Sequence, residues 1–135
     1  MRILGLDYGD SRIGVAVSDL LGFTAQSVGL IAEKNFERQI EAVFNYCKEY
    51  SAEKIVIGMP KNMNGTIGER GEKTMLFVEE LKKHVSVPII FWDERLTTAA
   101  AHKTLAESNV SGKKRKGILD KIAAVFILQG YLDSI

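Results

Sequence analysis

The segment ILGLDYGDSRIGVAVSD, residues 3–19, most constrains the fold, because two apolar runs flank one short polar turn. Each run carries apolar residues at strand spacing, namely Ile3, Leu4 and Leu6, then Ile13, Val15 and Val17. The break at residues 9–12 predicts a β-hairpin. Asp7 is the one charged residue in the first of these apolar runs. A charge in an apolar, glycine-flanked strand must be paired, neutralised or bound to a metal.

The remaining apolar patterns predict an α/β fold. A third, edge-like strand is expected from Thr24 to Ile31, and then helices and strands alternate. The expected elements are a helix from the N-cap Asn35, a strand at 55–58, a helix around Phe77, Val78 and Leu81, a strand at 88–92, a helix from Thr97 or Thr98 to Leu105, and a final helix beginning near Ile118. Right-handed crossovers then give a five-stranded mixed sheet of order 3-2-1-4-5, flanked by helices.

Length and composition limit the class of protein. The 135 residues supply one core, so we expect a single domain spanning 1–135. With a formal net charge of +1, any nucleic-acid partner must be attracted by a local patch. The only cysteine, Cys47, excludes an internal disulfide. The chain has no signal peptide or spanning segment, which predicts a cytoplasmic protein that does not bind membranes.

Three acidic segments are expected to converge at one edge of this sheet. Asp7 ends the first strand and Asp93-Glu94 ends the fifth, and these ends lie at the same edge. We favour Glu94 over Asp93 because its side chain reaches further, with Asp93 as the substitute. Asp120, expected in the first turn of the final helix, is the third candidate, although the helix dipole alone would also favour an acid there.

Converging carboxylates repel one another unless a cation lies among them. Oxygen ligands with room for water suit Mg²⁺ or Mn²⁺, so one or two such ions are the predicted cofactor. Paired ions can activate a water and stabilise the leaving oxygen of a phosphodiester. The predicted reaction is therefore hydrolysis of a nucleic-acid backbone, with Asp7, Glu94 and Asp120 as catalytic and metal-binding residues.

Three further segments could present the phosphates. They are the turn from Gly9 to Arg12, the loop from Lys61 to Thr66, which includes Asn62 and Gly65, and a basic loop that contains Lys113, Lys114, Arg115 and Lys116. Glycines let backbone N–H groups approach an anion, and consecutive cations could contact successive phosphates. A hairpin turn, an ordinary loop and a solvated charge run explain the same residues equally well.

Four ordered motifs together resemble one known family. GLDYGDSRIGVAVSD, IVIGMPKNMNGT, DERLTT and KGILDKIAAVFILQGYL are similar to motifs of the YqgF/RuvX family, bacterial proteins described as pre-16S rRNA nucleases and relatives of Holliday junction resolvases. The resemblance implies an RNase H-like fold with Asp7, Glu94 and Asp120 as the catalytic acids. It also implies that Arg12, Asn62 and Arg95 surround the substrate.

One difference from the wider resolvase pattern affects the acidic site. Those relatives carry a glutamate at the end of the fourth strand, where this chain has Gly58-Met59-Pro60, so Glu94 would have to compensate. The resemblance implies processing of the pre-16S rRNA 5′ end as the function. The alternatives are a resolvase acting on branched DNA and a non-catalytic RNA-binding factor in ribosome assembly or transcription, in each case as a monomer or homodimer.

Overall fold

The computed structural model describes residues 2–9, 11–61, 64–93 and 112–135, with the backbone alone for 112–120. Its strands are β1 (Ile3–Tyr8), β2 (Ile13–Ser18), β3 (Ala25–Ile31), β4 (Lys54–Met59) and β5 (Ile89–Asp93). Its helices are α1 (Phe36–Glu49), α2 (Glu69–Leu81) and α3 (Gly112–Ser134). The helix expected to end at Leu105 falls outside the described residues.

The strands form one five-stranded sheet with the predicted order, β3-β2-β1-β4-β5. β1 pairs antiparallel with β2 and parallel with β4, and β4 pairs parallel with β5. The central position of β1 follows from its sequence, because Ile3, Leu4 and Leu6 are all fully buried and require cover on both faces of the sheet.

Helices α1 and α2 cover one face of the sheet. Asn35 caps α1, since its side-chain oxygen accepts a hydrogen bond from the Arg38 N–H at 3.0 Å. The core on this face contains Leu4 and Leu6 of β1, together with Phe77 of α2. Cys47 lies in the same core as a free thiol, and burial raises the pKa of that thiol, which agrees with a packing role.

Helix α3 covers the opposite face. Ile3 of β1, Val56 of β4 and the α3 residues Ala124 and Leu128 form this second core. Gly5 lets the helix approach closely, because a Cβ at that position would lie only 2.7 Å from the Leu128 Cβ and 3.2 Å from the Ala124 carbonyl oxygen. The distance between β1 and α3 therefore depends on the missing side chain of residue 5.

The contacts of α3 also give its direction. The Lys54 ammonium donates to the Tyr131 hydroxyl at 2.9 Å, and Lys54 is in register with Ile3 at the start of β1. Ala124 lies further along β1, beside Gly5. Helix α3 thus runs antiparallel to β1, and its N-terminal half points toward the edge where β1 ends.

The predicted start of the final helix is wrong. The sequence suggested a basic loop up to Gly117, but α3 already begins at Gly112. Lysine and arginine are good helix formers, so the run at 113–116 extends the helix rather than interrupting it. Among the described residues, none of the helices is both long enough and apolar enough to span a bilayer.

Replacing Gly5 by alanine should lower the free energy of unfolding by about 1–3 kcal/mol, because the new methyl group would overlap α3. Urea denaturation measures this loss. Gly29→Ala is the matched control, since a Cβ at Gly29 meets chiefly the Tyr46 side chain, which can rotate away. We expect a smaller loss for the control, and equal losses would contradict the proposed role of Gly5.

Candidate active site at the carboxyl edge of the sheet

The three parallel strands end at the same edge of the sheet. Leu6 of β1 is in register with Ile57 of β4, which is in register with Phe91 of β5. Asp7 follows Leu6 directly and is half-buried. The residues that end β1 and β5 therefore lie at one level, separated only by β4.

The side chain of Asp7 belongs to the sheet face that α3 covers. Side chains alternate along a strand, so Ile3, Gly5 and Asp7 share one face. Ile3 and Gly5 both contact α3, whereas Leu4 and Leu6 pack in the core beneath α1 and α2. Asp7 is therefore the acid of β1 that lies on the α3 side, just past the packed part of that face.

Asp93 lies on the other face. Ile89 packs against the core beneath α1 and α2, and Asp93 has the same strand parity as Ile89. Its carboxylate is 4.0 Å from the Lys61 ammonium, and both side chains are about one-third exposed (37% and 33%). An ion pair so exposed contributes about 1 kcal/mol or less to stability. It shows that Lys61 is a neighbour of Asp93 but stabilises the fold little.

The prediction that Asp120 lies in the first turn of its helix is wrong, because Asp120 is the ninth residue of α3. The helix dipole acts mainly within the first turn, so it does not explain an acid at this position.

Asp120 precedes Ala124 by four residues, or about 6 Å of helix. Asp7 follows Gly5 by two residues, or about 6.6 Å of strand. Because α3 and β1 are antiparallel, the backbone of Asp120 lies near the level of Asp7.

The basic run occupies the first turns of α3 rather than a loop. Four consecutive helical residues are spaced by about 100° around the axis, so Lys113, Lys114, Arg115 and Lys116 cannot all face the same strand of nucleic acid. Lys113 is seven residues before Asp120, two helical turns, and hence on nearly the same face of the helix, whereas Arg115 is on the opposite face. Whether all four cations contact successive phosphates stays a prediction, and the helix geometry favours Lys113 and Lys116 for the Asp120 side.

The described residues of the two glycine turns form local hydrogen bonds. In the β1–β2 turn the Gly9 N–H donates to the Arg12 carbonyl oxygen at 2.8 Å, and Arg12 is exposed. Gly65 has a φ of 87°, a value that favours glycine. The Asn64 side-chain oxygen accepts hydrogen bonds from the Thr66 N–H and hydroxyl at 3.1 and 2.7 Å. Both turns have structural reasons for their glycines, which leaves anion binding there as a prediction.

Several predicted site residues lie outside the described part of the chain: Glu94, Arg95 and Asn62, together with the side chains of Asp120 and of residues 113–116. Within the described residues, no group of three or more His, Cys, Asp and Glu side chains could hold a metal. The described part of the candidate site thus contains one carboxylate, Asp7, and the helix α3, whose N-terminal half extends toward the same edge of the sheet.

Lys61 is a neighbour of this edge that the sequence reasoning did not single out. It lies two residues beyond β4 and is paired across a β-bridge with Ile67, which closes the loop between them. The sequence feature that could have indicated Lys61 is its position two residues after a strand that ends at the acidic edge. The Lys61 ammonium thus lies beside the carboxylate that ends β5.

Comparison with solved structures gives the class of this fold. Thermus thermophilus RuvC bound to a Holliday junction matches with a TM-score of 0.60 at 16% identity, over 99% of this chain and 94% of RuvC. Fowlpox virus resolvase bound to Holliday junction DNA matches with a TM-score of 0.59 at 14% identity, over 99% of this chain and 98% of the resolvase. The sheet and helices therefore have the RNase H-like fold of the RuvC-like resolvases.

Sequence comparison is more specific. A family model described as "RuvX: Holliday junction resolvase" matches residues 1–134, and the chain belongs to the RuvX family. A relative from Clostridium novyi is 58% identical over 135 residues, all of both chains, and one from Desulforamulus reducens is 53% identical over 134 residues, 99% of this chain and 98% of the relative. Both relatives carry the name "Putative pre-16S rRNA nuclease".

Proposed function

We propose that this protein is a metal-dependent endonuclease that hydrolyses phosphodiester bonds in structured nucleic acid and processes the 5′ end of pre-16S rRNA. The observation that carries the proposal is the approach of α3 to β1. It brings the Asp120 position to the level of Asp7, on the same side of the sheet. Membership of the RuvX family and the names of its relatives support nuclease chemistry at this edge.

Glu94 is the third acid of the proposed site. Asp93 has the strand parity of Ile89 and lies near Lys61, on the face away from α3, so it is a poor partner for Asp7. Glu94, the next acid in the sequence, is therefore the proposed partner of Asp7. Glu94 would then compensate for the glutamate that the wider resolvase pattern has at the end of the fourth strand.

The donor chemistry fits a hard divalent cation. Asp7, Glu94 and Asp120 would offer only carboxylate oxygens, and the half-buried position of Asp7 leaves room for water. One or two Mg²⁺ or Mn²⁺ ions, when bound, would supply Lewis acidity and make water more nucleophilic near neutral pH. The carboxylates would hold that charge, and without it their mutual repulsion would disfavour their convergence.

The proposed reaction needs no covalent intermediate with the protein. A water oxygen forms a bond to phosphorus, and the bond from phosphorus to one bridging oxygen breaks. The water loses a proton, and the departing oxygen gains one, so the products carry a terminal phosphate and a hydroxyl. The protein's own contribution is to position the nucleic-acid strand against the acidic side chains at this edge of the sheet.

Positive residues around the edge would hold the substrate. The first eight residues of α3 precede Asp120 and extend about 12 Å beyond it. Lys113 and Lys116 are the members of the basic run nearest to the Asp120 face. Arg12 on the exposed β1–β2 turn would add a contact from the sheet.

The substrate proposed first is a ribosomal RNA precursor in the cytoplasm. Relatives with 53–58% identity over essentially the whole chain carry that substrate in their name. Branched DNA is the second candidate, because the matching family model is described as a Holliday junction resolvase. A cleavage assay on a structured pre-16S RNA and a four-way DNA junction separates the two.

Asp7→Asn should reduce the cleavage rate by about 100-fold or more while nucleic-acid affinity changes little, because the variant keeps its shape but loses a metal-binding charge. Single-turnover cleavage and filter binding measure the two effects. Calorimetric titration with Mn²⁺ should also show weaker metal uptake by Asp7→Asn than by the wild type.

Asp93→Asn is the matched control for this experiment. It removes the same charge two strands away, on the other face of the sheet, and we expect most of the cleavage rate to remain. Similar losses in both variants would contradict the assignment of the site to the α3 side. Full cleavage by Asp7→Asn would remove Asp7 from the mechanism, whereas nucleic-acid binding without cleavage by the wild type would favour a non-catalytic RNA-binding factor.

Lys113→Gln should weaken nucleic-acid binding more than Arg115→Gln does, because the helix turns these two positions to opposite sides. One lost phosphate contact should also reduce the slope of log affinity against log salt by about 0.7–0.9. Fluorescence anisotropy across a salt series measures both quantities. Equal effects of the two substitutions would mean that the run acts as a diffuse charge.

A further inference from the structure

A second surface of this molecule lies on the face away from Asp7. Helices α1 and α2 border a groove of about 600 Å³, lined by Phe36, Glu37, Ile40, Glu41, Phe44, Glu80 and His84. These helices pack on the side of the sheet opposite α3. The groove is therefore separate from the proposed nuclease edge.

The groove has an apolar floor. Phe36, Ile40 and Phe44 are spaced by four residues and form a stripe along α1 of about 12 Å. Phe36 is 39% exposed, and its ring packs edge-on against the buried Phe77, with 5.9 Å between centroids. Phe36 and Phe44 are thus partly open to solvent on either side of the buried Ile40, and partly exposed aromatic side chains are typical anchors of a protein-binding groove.

The rim of the groove is acidic. Glu37 and Glu41 are exposed, and neither forms an ion pair or hydrogen bond through its carboxylate with another described residue. Glu80 lies 3.1 Å from the Lys83 ammonium and 3.7 Å from His84 Nε2, and the hydrogen bond from Lys83 lowers its pKa. The carboxylates on the α1 side are thus available for a cationic partner.

The combination of charge and shape determines which partner fits. Carboxylates repel phosphates, so a nucleic acid is disfavoured at this groove. A helix with apolar residues at i, i+3, i+4 and i+7 presents a face of about the length of the Phe36–Phe44 stripe. Lysines or arginines beside that face would meet Glu37 and Glu41.

We propose that the groove between α1 and α2 binds a basic amphipathic helix of a partner protein. Its apolar side packs on Phe36, Ile40 and Phe44, and its cations pair with Glu37 and Glu41. Because the groove is on the opposite face from α3, such a partner would leave the edge at Asp7 accessible. A basic protein could thereby bring this chain to a nucleic acid without competing for the proposed site.

The test uses the intact chain and a synthetic 18-residue peptide with leucines at i, i+3, i+4 and i+7 and lysines elsewhere. Backbone amide NMR should show saturable shifts that concentrate on α1 and on α2 near Glu80. The double variant Glu37→Lys/Glu41→Lys should bind the peptide at least 10-fold more weakly. Both residues are exposed, so the variant should unfold at nearly the wild-type temperature.

Two controls distinguish groove binding from general attraction. The variant Glu69→Lys/Glu72→Lys carries the same charge change on exposed residues in the first turn of α2 and should bind the peptide about as well as the wild type. A peptide of equal composition with its leucines rearranged off one face should bind at least 10-fold more weakly. Equal binding of both peptides, or equal losses in both double variants, would overturn the proposal. So would self-association of the chain that occupies the groove and excludes the peptide.

Discussion

The contact between Gly5 and α3 sets the geometry on which the candidate site depends. With no side chain at residue 5, Ala124 and Leu128 approach the backbone of β1, and a Cβ there would overlap Leu128. The same contact defines the register between the two elements. Four residues of helix and two residues of strand span nearly equal lengths, so the approach at Gly5 brings the Asp120 position to the level of Asp7.

The central sheet separates two kinds of surface. On the α3 side, the strand that carries Asp7 meets a helix whose first turns are basic. On the other side, α1 and α2 leave aromatic rings and carboxylates exposed above a tightly packed core. Alternation of side chains along β1 and β5 assigns each acid to one of these sides, which is why Asp7 and Asp93 differ although both end a strand.

Much of the fold could be predicted from the chain because its local patterns agree with one another. The alternating Ile13, Val15 and Val17, the apolar run at 55–58 and the capped helix after Asn35 each predict their element, and the crossover rule then orders the strands. The start of α3 could not be predicted in the same way. A run of lysines and arginines suits both a solvated loop and a helix, and only the packing of the helix against the sheet favours the second.

The amino-acid sequence was enough to predict the strands, their order and the acids at strand ends, because side-chain period and hydrophobicity identify the strands and the crossover rule orders them. It could not determine that Asp120 lies in the interior of a helix, that Asp93 neighbours Lys61, or that Glu37 and Glu41 border an apolar groove. Those relations join residues far apart in the chain. They depend on how closely the helices approach the sheet and from which side, and only tertiary packing sets both.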